Sequence, residues 1–65
     1  MIPPHQLADL IDQHATPAEK EAIDLVYGQG LGYRRAGEVL GISPRAVRDR
    51  IDNLRRKLTQ AGHDL

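Results

Sequence analysis

Within nine residues, the sequence places Arg45, Ala46, Arg48, Asp49 and Asn53. These residue types, apart from the small Ala46, carry the hydrogen-bonding groups that match base edges in a duplex major groove. An arginine fork fits guanine O6 and N7, a carboxylate accepts from cytosine N4, and an asparagine amide pairs with adenine. Asp49 fits a second role equally well, as the i+4 partner that orients Arg45. Around this run lie Tyr33, Arg34, Arg35, Arg50, Arg55, Arg56 and Lys57, whose hydroxyl and cationic groups suit phosphate oxygens. Contacts of that kind position a protein on nucleic acid without reading its sequence. For Arg55, Arg56 and Lys57 there is a competing use, favourable charge at a helix C-terminus, and for Tyr33 another, capping the core.

Catalytic chemistry finds no such set. No nucleophile, base and orienting group stand in a recognisable arrangement, and Ser43 is engaged as a helix cap. His5, His14 and His63 have no metal-ligand spacing, and cysteine is absent. His14 reads as the boundary of an apolar stripe. Gly28-Gln29-Gly30-Leu31-Gly32 superficially suggests a phosphate cradle, but it lacks the preceding strand and the Gly-Lys-[Ser/Thr] ending. The expectation is a protein that is not an enzyme and takes no cofactor and no metal.

Positioning those side chains requires four helices, predicted at about 5–14, 17–27, 33–40 and 44–60. Leu7, Leu10, Ile11 and His14 recur at i, i+3, i+4, i+7 after Pro3-Pro4, the pattern of one amphipathic face. Thr16-Pro17-Ala18-Glu19 is a start signal: Thr16 accepts from a first-turn N–H, Glu19 reaches back, and Pro17 sits where no N–H is needed. The helix that follows buries Ala22, Ile23, Leu25 and Val26 in some combination, and the glycines from Gly28 stop it. Ser43-Pro44 is a second start signal. From it Val47, Ile51, Leu54 and Leu58 form one buried stripe about four turns long, with Gly62 just beyond its end.

Tyr33–Leu40 and the long basic helix are joined by Gly41-Ile42-Ser43, and two helices linked by a short glycine-containing turn make a helix-turn-helix. Gly41 supplies the positive φ where the chain reverses. Ala36 and Gly37 let the first helix approach the second, and Leu40, Ile42 and Val47 set the angle from inside. With the stripe at the bottom, Arg45, Asp49, Asp52, Asn53 and Arg56 point outward, with Ala46 and Arg48 on the shoulders.

Composition agrees with a small all-α domain over 1–65. At 65 residues a chain buries only about 60% of its unfolded surface, which leaves little room for an enclosed active site. Nine Lys+Arg balance nine Asp+Glu, but unevenly. Residues 1–32 hold one lysine against five acids, whereas 33–58 hold eight cations against three. On charge alone two readings stand equally: the helix-turn-helix at 33–58 is built to meet an anion and the acidic half at 5–32 to meet something else, or the charges merely solvate the helices. Two tyrosines and no other aromatic residue make no platform for stacking single strands. No apolar run reaches the ~18 residues of a membrane span, and Met1-Ile2-Pro3-Pro4 does not open like a signal peptide. A cytoplasmic protein that does not meet the membrane is expected.

The stretch from Tyr33-Arg34-Arg35-Ala36-Gly37-Glu38-Val39-Leu40-Gly41-Ile42-Ser43-Pro44-Arg45-Ala46-Val47 to Arg55-Arg56-Lys57-Leu58 resembles the helix-turn-helix of region 4 of sigma-70-type RNA polymerase sigma factors. It is also similar to the related LuxR-type DNA-binding domain. Thr16-Pro17-Ala18-Glu19-Lys20-Glu21-Ala22-Ile23-Asp24-Leu25-Val26-Tyr27 resembles the preceding helix of that family, so the likeness spans roughly 16–58. Family members usually carry a larger aliphatic residue at the place of Ala36 and alanine at that of Gly37, so this helix is either looser or packed closer. The 65 residues hold no counterpart of region 2, the part with which a full sigma factor engages a −10 element.

The resemblance implies a prokaryotic or phage transcriptional regulator that binds double-stranded DNA, free in the bacterial cytoplasm or nucleoid, or in host cytoplasm if phage-encoded. One such module with about six usable cations binds DNA non-specifically at only ~10⁻⁴–10⁻⁶ M. A homodimer, or attachment to a larger protein such as RNA polymerase, would supply the missing affinity. In sigma region 4 the face away from DNA binds the flap of the polymerase β subunit; Leu7, Leu10 and Ile11 fit that role or plain core. The alternatives are a protein-interaction or antiactivator module on a helix-turn-helix scaffold, with Asp49 and Asp52 weakening DNA affinity, and the DNA-binding part of a phage packaging protein.

Overall fold

The computed structural model describes residues 3–62. Met1-Ile2, His63, Asp64 and Leu65, on which parts of the leader, metal, charge and domain readings fall, lie outside the described residues. Four helices and no strand are found among the described residues: α1 (Pro4–His14), α2 (Pro17–Ile23, continuing as a π-helical turn over Asp24–Gly28), α3 (Tyr33–Leu40) and α4 (Pro44–Gln60). This is the small all-α helix-turn-helix architecture expected.

α2 begins on a complete capping box. The Thr16 hydroxyl accepts from the Glu19 N–H at 3.2 Å, and Glu19 Oε1 accepts from the Thr16 N–H at 3.0 Å. The helix expected from 17 to about 27 is found, with its last turn widened from Asp24. Its carbonyl accepts from Gln29, five residues on, and that of Leu25 accepts from Leu31. The physical reason lies in the glycines, since Gly30 takes φ +72° and swings the chain back so that carbonyls at the helix end still find partners.

The turn between α3 and α4 depends on two glycines in different ways. Gly41 caps α3 at φ 72°, ψ 31°, and both its N–H and that of Ile42 converge on the Gly37 carbonyl. Gly37 lies against the turn itself: a Cβ there would stand 2.6 Å from Ile42 O and 3.3 Å from both Pro44 N and Ser43 C. Of the two readings of the Ala36-Gly37 pair, closer packing is the one realised. α4 then starts with Ser43 Oγ accepting from the Ala46 N–H at 3.1 Å and Pro44 in the first turn.

α4 is the shared wall of the core. Val47, Ile51, Leu54 and Leu58 have no exposed surface, and they meet Leu10 of α1, Ala22 and Ile23 of α2, and Ala36 of α3. Burying each large aliphatic side chain contributes about 1.5–3 kcal/mol before ordering costs. Leu25, Val26, Leu31, Leu40 and Ile42 pack at its margin. With one side of α4 committed inward for its whole length, the other is held rigidly outward.

Candidate nucleic-acid interface

Arg45, Arg48, Asp49 and Asn53 are exposed on α4, with Ala46 half-buried at the shoulder. Arg45, Arg48 and Asp49 line an open groove of ≈ 620 Å³ together with Tyr33, Pro44 and Asp52. Tyr33 is the first residue of α3, so the groove joins the start of one helix to the first turns of the next. Three of the five base-reading candidates therefore cluster in one groove, while Ala46 is not among its lining residues and Asn53 sits farther along, beside Arg56 and Gln60.

Ion pairing within the groove differs from expectation. The i+4 link between Arg45 and Asp49 is not formed, and among the described residues neither makes an ion pair. Instead Arg48 Nε stands 3.7 Å from Asp52 Oδ2. Asp52, expected outward, is half-buried. Its place is set by helix geometry: position 52 lies nearer the flank of α4 that carries Arg48, whereas position 49 sits at the crest of the solvent side.

The cations proposed for phosphate fall into two groups. Arg34, Arg35 and Arg56 are exposed and Arg50 is half-buried; of these only Arg34 has an ionic partner among the described residues, Glu38 at 4.0 Å. α3 has no side-chain cap, since Gly32 occupies the N-cap, and the first-turn N–H groups beside Tyr33, Arg34 and Arg35 thus have no side-chain acceptor. Such a helix start favours anions.

The second group is bound to protein. Arg55 donates to the Tyr27 hydroxyl, and its guanidinium lies 5.9 Å from the centre of that ring. Lys57 donates to Glu19 Oε1. These two side chains leave opposite flanks of α4 and grip opposite ends of the α2 segment. Sequence reasoning missed both contacts, because nothing local signals a pairing between residues 28 or 38 positions apart.

Glu19 is buried, which by itself raises its carboxyl pKa. Lys57, the Thr16 N–H and the Thr16 hydroxyl outweigh that and hold it below the ordinary 4.5. On the surface, the Asp12 carboxylate hydrogen-bonded to Lys20 at 2.7 Å pushes that ammonium up. Among the described residues no group of three or more His, Cys, Asp or Glu side chains is placed to hold a metal ion, and no helix is long and apolar enough to cross a membrane.

Residues 14–60 match the family described as Sigma-70, region 4. The chain belongs to that family. The match runs from the last residue of α1 to the last of α4, taking in the whole helix-turn-helix and the capped helix before it. No curated protein and no solved structure matches the chain. Sigma-70 region 4 is a helix-turn-helix DNA-binding region and not an enzyme family, and the groove described above lies on the helix that such a motif turns toward DNA.

Proposed function

We propose that this region 4 domain reads a specific sequence in double-stranded DNA, acting as a transcriptional regulator or as the DNA-binding module of a larger prokaryotic or phage protein. The observation that carries this reading is the groove itself: Arg45, Arg48 and Asp49 stand exposed on the first turns of α4 beside Tyr33, while the opposite stripe is fully buried. Arg45, Ala46, Arg48 and Asp49 face base edges, with Asn53 reading at the far edge. Tyr33, Arg34 and Arg35 hold one phosphate run at the start of α3, and Arg50 and Arg56 hold another along α4. Arg55 and Lys57 reach phosphate only by sharing themselves with Tyr27 and Glu19.

A lone module of this size binds weakly, so partnership is part of the proposal, with a second copy or with a larger protein such as RNA polymerase. Leu7, Ile11, Ile23, Tyr27, Leu54 and Arg55 line a second groove, ≈ 250 Å³ and mostly apolar, between α1, α2 and α4. That groove supports the flap-binding role which the family resemblance implies, and equally the alternative reading as a protein-interaction or antiactivator module.

One titration separates these readings. Binding to random duplex DNA is measured at several salt concentrations. A DNA reader gives a steep negative slope of log affinity on log salt, and a module that binds only protein gives none.

A further inference from the structure

Arg48 and Asp52 stand one helical turn apart, and both line the groove with Tyr33, Pro44, Arg45 and Asp49. The approach is through Nε, 3.7 Å from Asp52 Oδ2. A guanidinium presents two donor edges, one containing Nε and one formed by the two terminal nitrogens. With the Nε edge turned to Asp52, the terminal fork remains, and that fork matches guanine O6 and N7. A free arginine side chain carries rotamer entropy that base reading must freeze; an ionic tether from the same helix removes part of that cost beforehand.

We propose that Asp52 is a positioning residue for base recognition, holding Arg48 by its Nε edge so that the terminal fork is presented to one guanine of the bound duplex. The inference rests on the DNA-reading function above and names the device that gives it specificity at one base pair. A second i,i+4 pair in the chain shows the contrast. Arg34 and Glu38 are 4.0 Å apart with side chains 88% and 61% exposed, and neither belongs to the groove. Arg48 and Asp52 are closer, and their side chains are less exposed, at 67% and 44%.

Removing the Asp52 carboxylate has two opposed consequences. Overall attraction to DNA rises, because a negative charge leaves the interface. Discrimination at the base met by Arg48 falls, because the fork is no longer held. A solvated surface pair with no role in reading produces only the first effect.

The test uses the full chain as wild type, Asp52→Asn, Asp52→Glu, Arg48→Ala and Arg48→Lys, each selecting sites from a random duplex library and each titrated with random duplex DNA. Arg48→Ala and Arg48→Lys identify the position at which guanine preference disappears. Asp52→Asn should lower guanine preference there by about fivefold or more, leave the other positions unchanged, and bind random duplex as tightly as wild type or tighter. Asp52→Glu, which keeps the carboxylate, should recover part of the preference. The inference is overturned if Asp52→Asn selects the wild-type site with undiminished guanine preference. It is equally overturned if Asp52→Asn and Asp52→Glu both lose helical circular dichroism, or lose preference at all positions together, since the role is then structural. A wild type that selects no site defeats the DNA-reading function itself, and the two failures are thereby distinguishable.

Discussion

The Lys57 ammonium, near the end of α4, donates to the same Glu19 oxygen that accepts the Thr16 N–H at the start of α2. One buried carboxylate oxygen thus caps one helix and clamps another, joining residues 38 apart in sequence. The clamp fixes the far end of α4 against α2, and the Tyr27–Arg55 contact fixes its other flank. The outward face of α4 is consequently held at both sides by groups that lie outside the DNA-facing groove.

Replacing Lys57 by methionine should keep the stem packed and delete only the charge. Glu19 then remains buried without its cation, and stability should fall by about 1–2 kcal/mol, a charged hydrogen bond discounted for the partial exposure of Lys57. Urea melts at neutral pH measure this. Asp12→Asn, which breaks the exposed pair with Lys20, should move the melt far less; equal losses would show that the Glu19–Lys57 clamp has no special weight.

The same clamp sets an acid limit. Glu19 has a lower pKa folded than unfolded, so its stabilisation is complete above the ordinary value of 4.5 and is lost as pH falls through the folded value. Stability measured by urea melts from pH 7 to pH 3 should decline more steeply for wild type than for Glu19→Gln, which has no proton to bind there. Parallel curves would contradict the assignment.

Gly37 and Gly41 make separable demands. At Gly41 nothing lies within 4 Å of an added Cβ, so the cost of Gly41→Val is the left-handed backbone alone, at least about 1 kcal/mol. Gly41→Asn should lose less, because asparagine tolerates that region. At Gly37 the backbone is helical and the cost is contact with Ile42 O at 2.6 Å. Gly37→Ala should still destabilise, by about 1–2 kcal/mol, despite the roughly 1 kcal/mol gain in helix propensity, since the turn backbone must shift. Thermal melts of the three variants test the turn; an unchanged melting point for Gly41→Val would refute it.

The sequence carries the turn and the caps openly because each rests on neighbours: Thr16 with Glu19, Ser43 with Pro44, Gly41 between two apolar periods. The stripe Val47, Ile51, Leu54, Leu58 is equally local, and all four are fully buried. The widened turn at Asp24–Gly28 was not legible, because the glycines announce a stop without fixing how the last carbonyls are satisfied. Nor was the choice of Arg48–Asp52 over Arg45–Asp49. Both pairs have i+4 spacing on the same helix, so spacing alone does not say which carboxylate approaches its arginine. Glu19 with Lys57 and Tyr27 with Arg55 are products of tertiary packing and leave no trace in spacing.

That division predicts unequal effects among the cations. Arg35 and Arg56 are exposed and have no ionic partner among the described residues, so each is free to displace a counterion. Arg35→Ala and Arg56→Ala should each weaken binding to all duplex sequences alike and reduce the salt slope by about 0.9. Arg45→Ala should instead relax preference at one base pair by about 1–3 kcal/mol. Arg55 already donates to the neutral Tyr27 hydroxyl, so a donor and the position of its side chain, though not its charge, are committed before DNA arrives. Arg55→Ala should therefore change the slope by less than Arg56→Ala does, while Tyr27→Phe, which removes the hydroxyl acceptor, should bring the effect of Arg55 closer to that of its neighbour. Titrations with random duplex at four salt concentrations decide it: equal slopes for Arg55→Ala and Arg56→Ala would mean that the Tyr27 contact gives way to phosphate without cost.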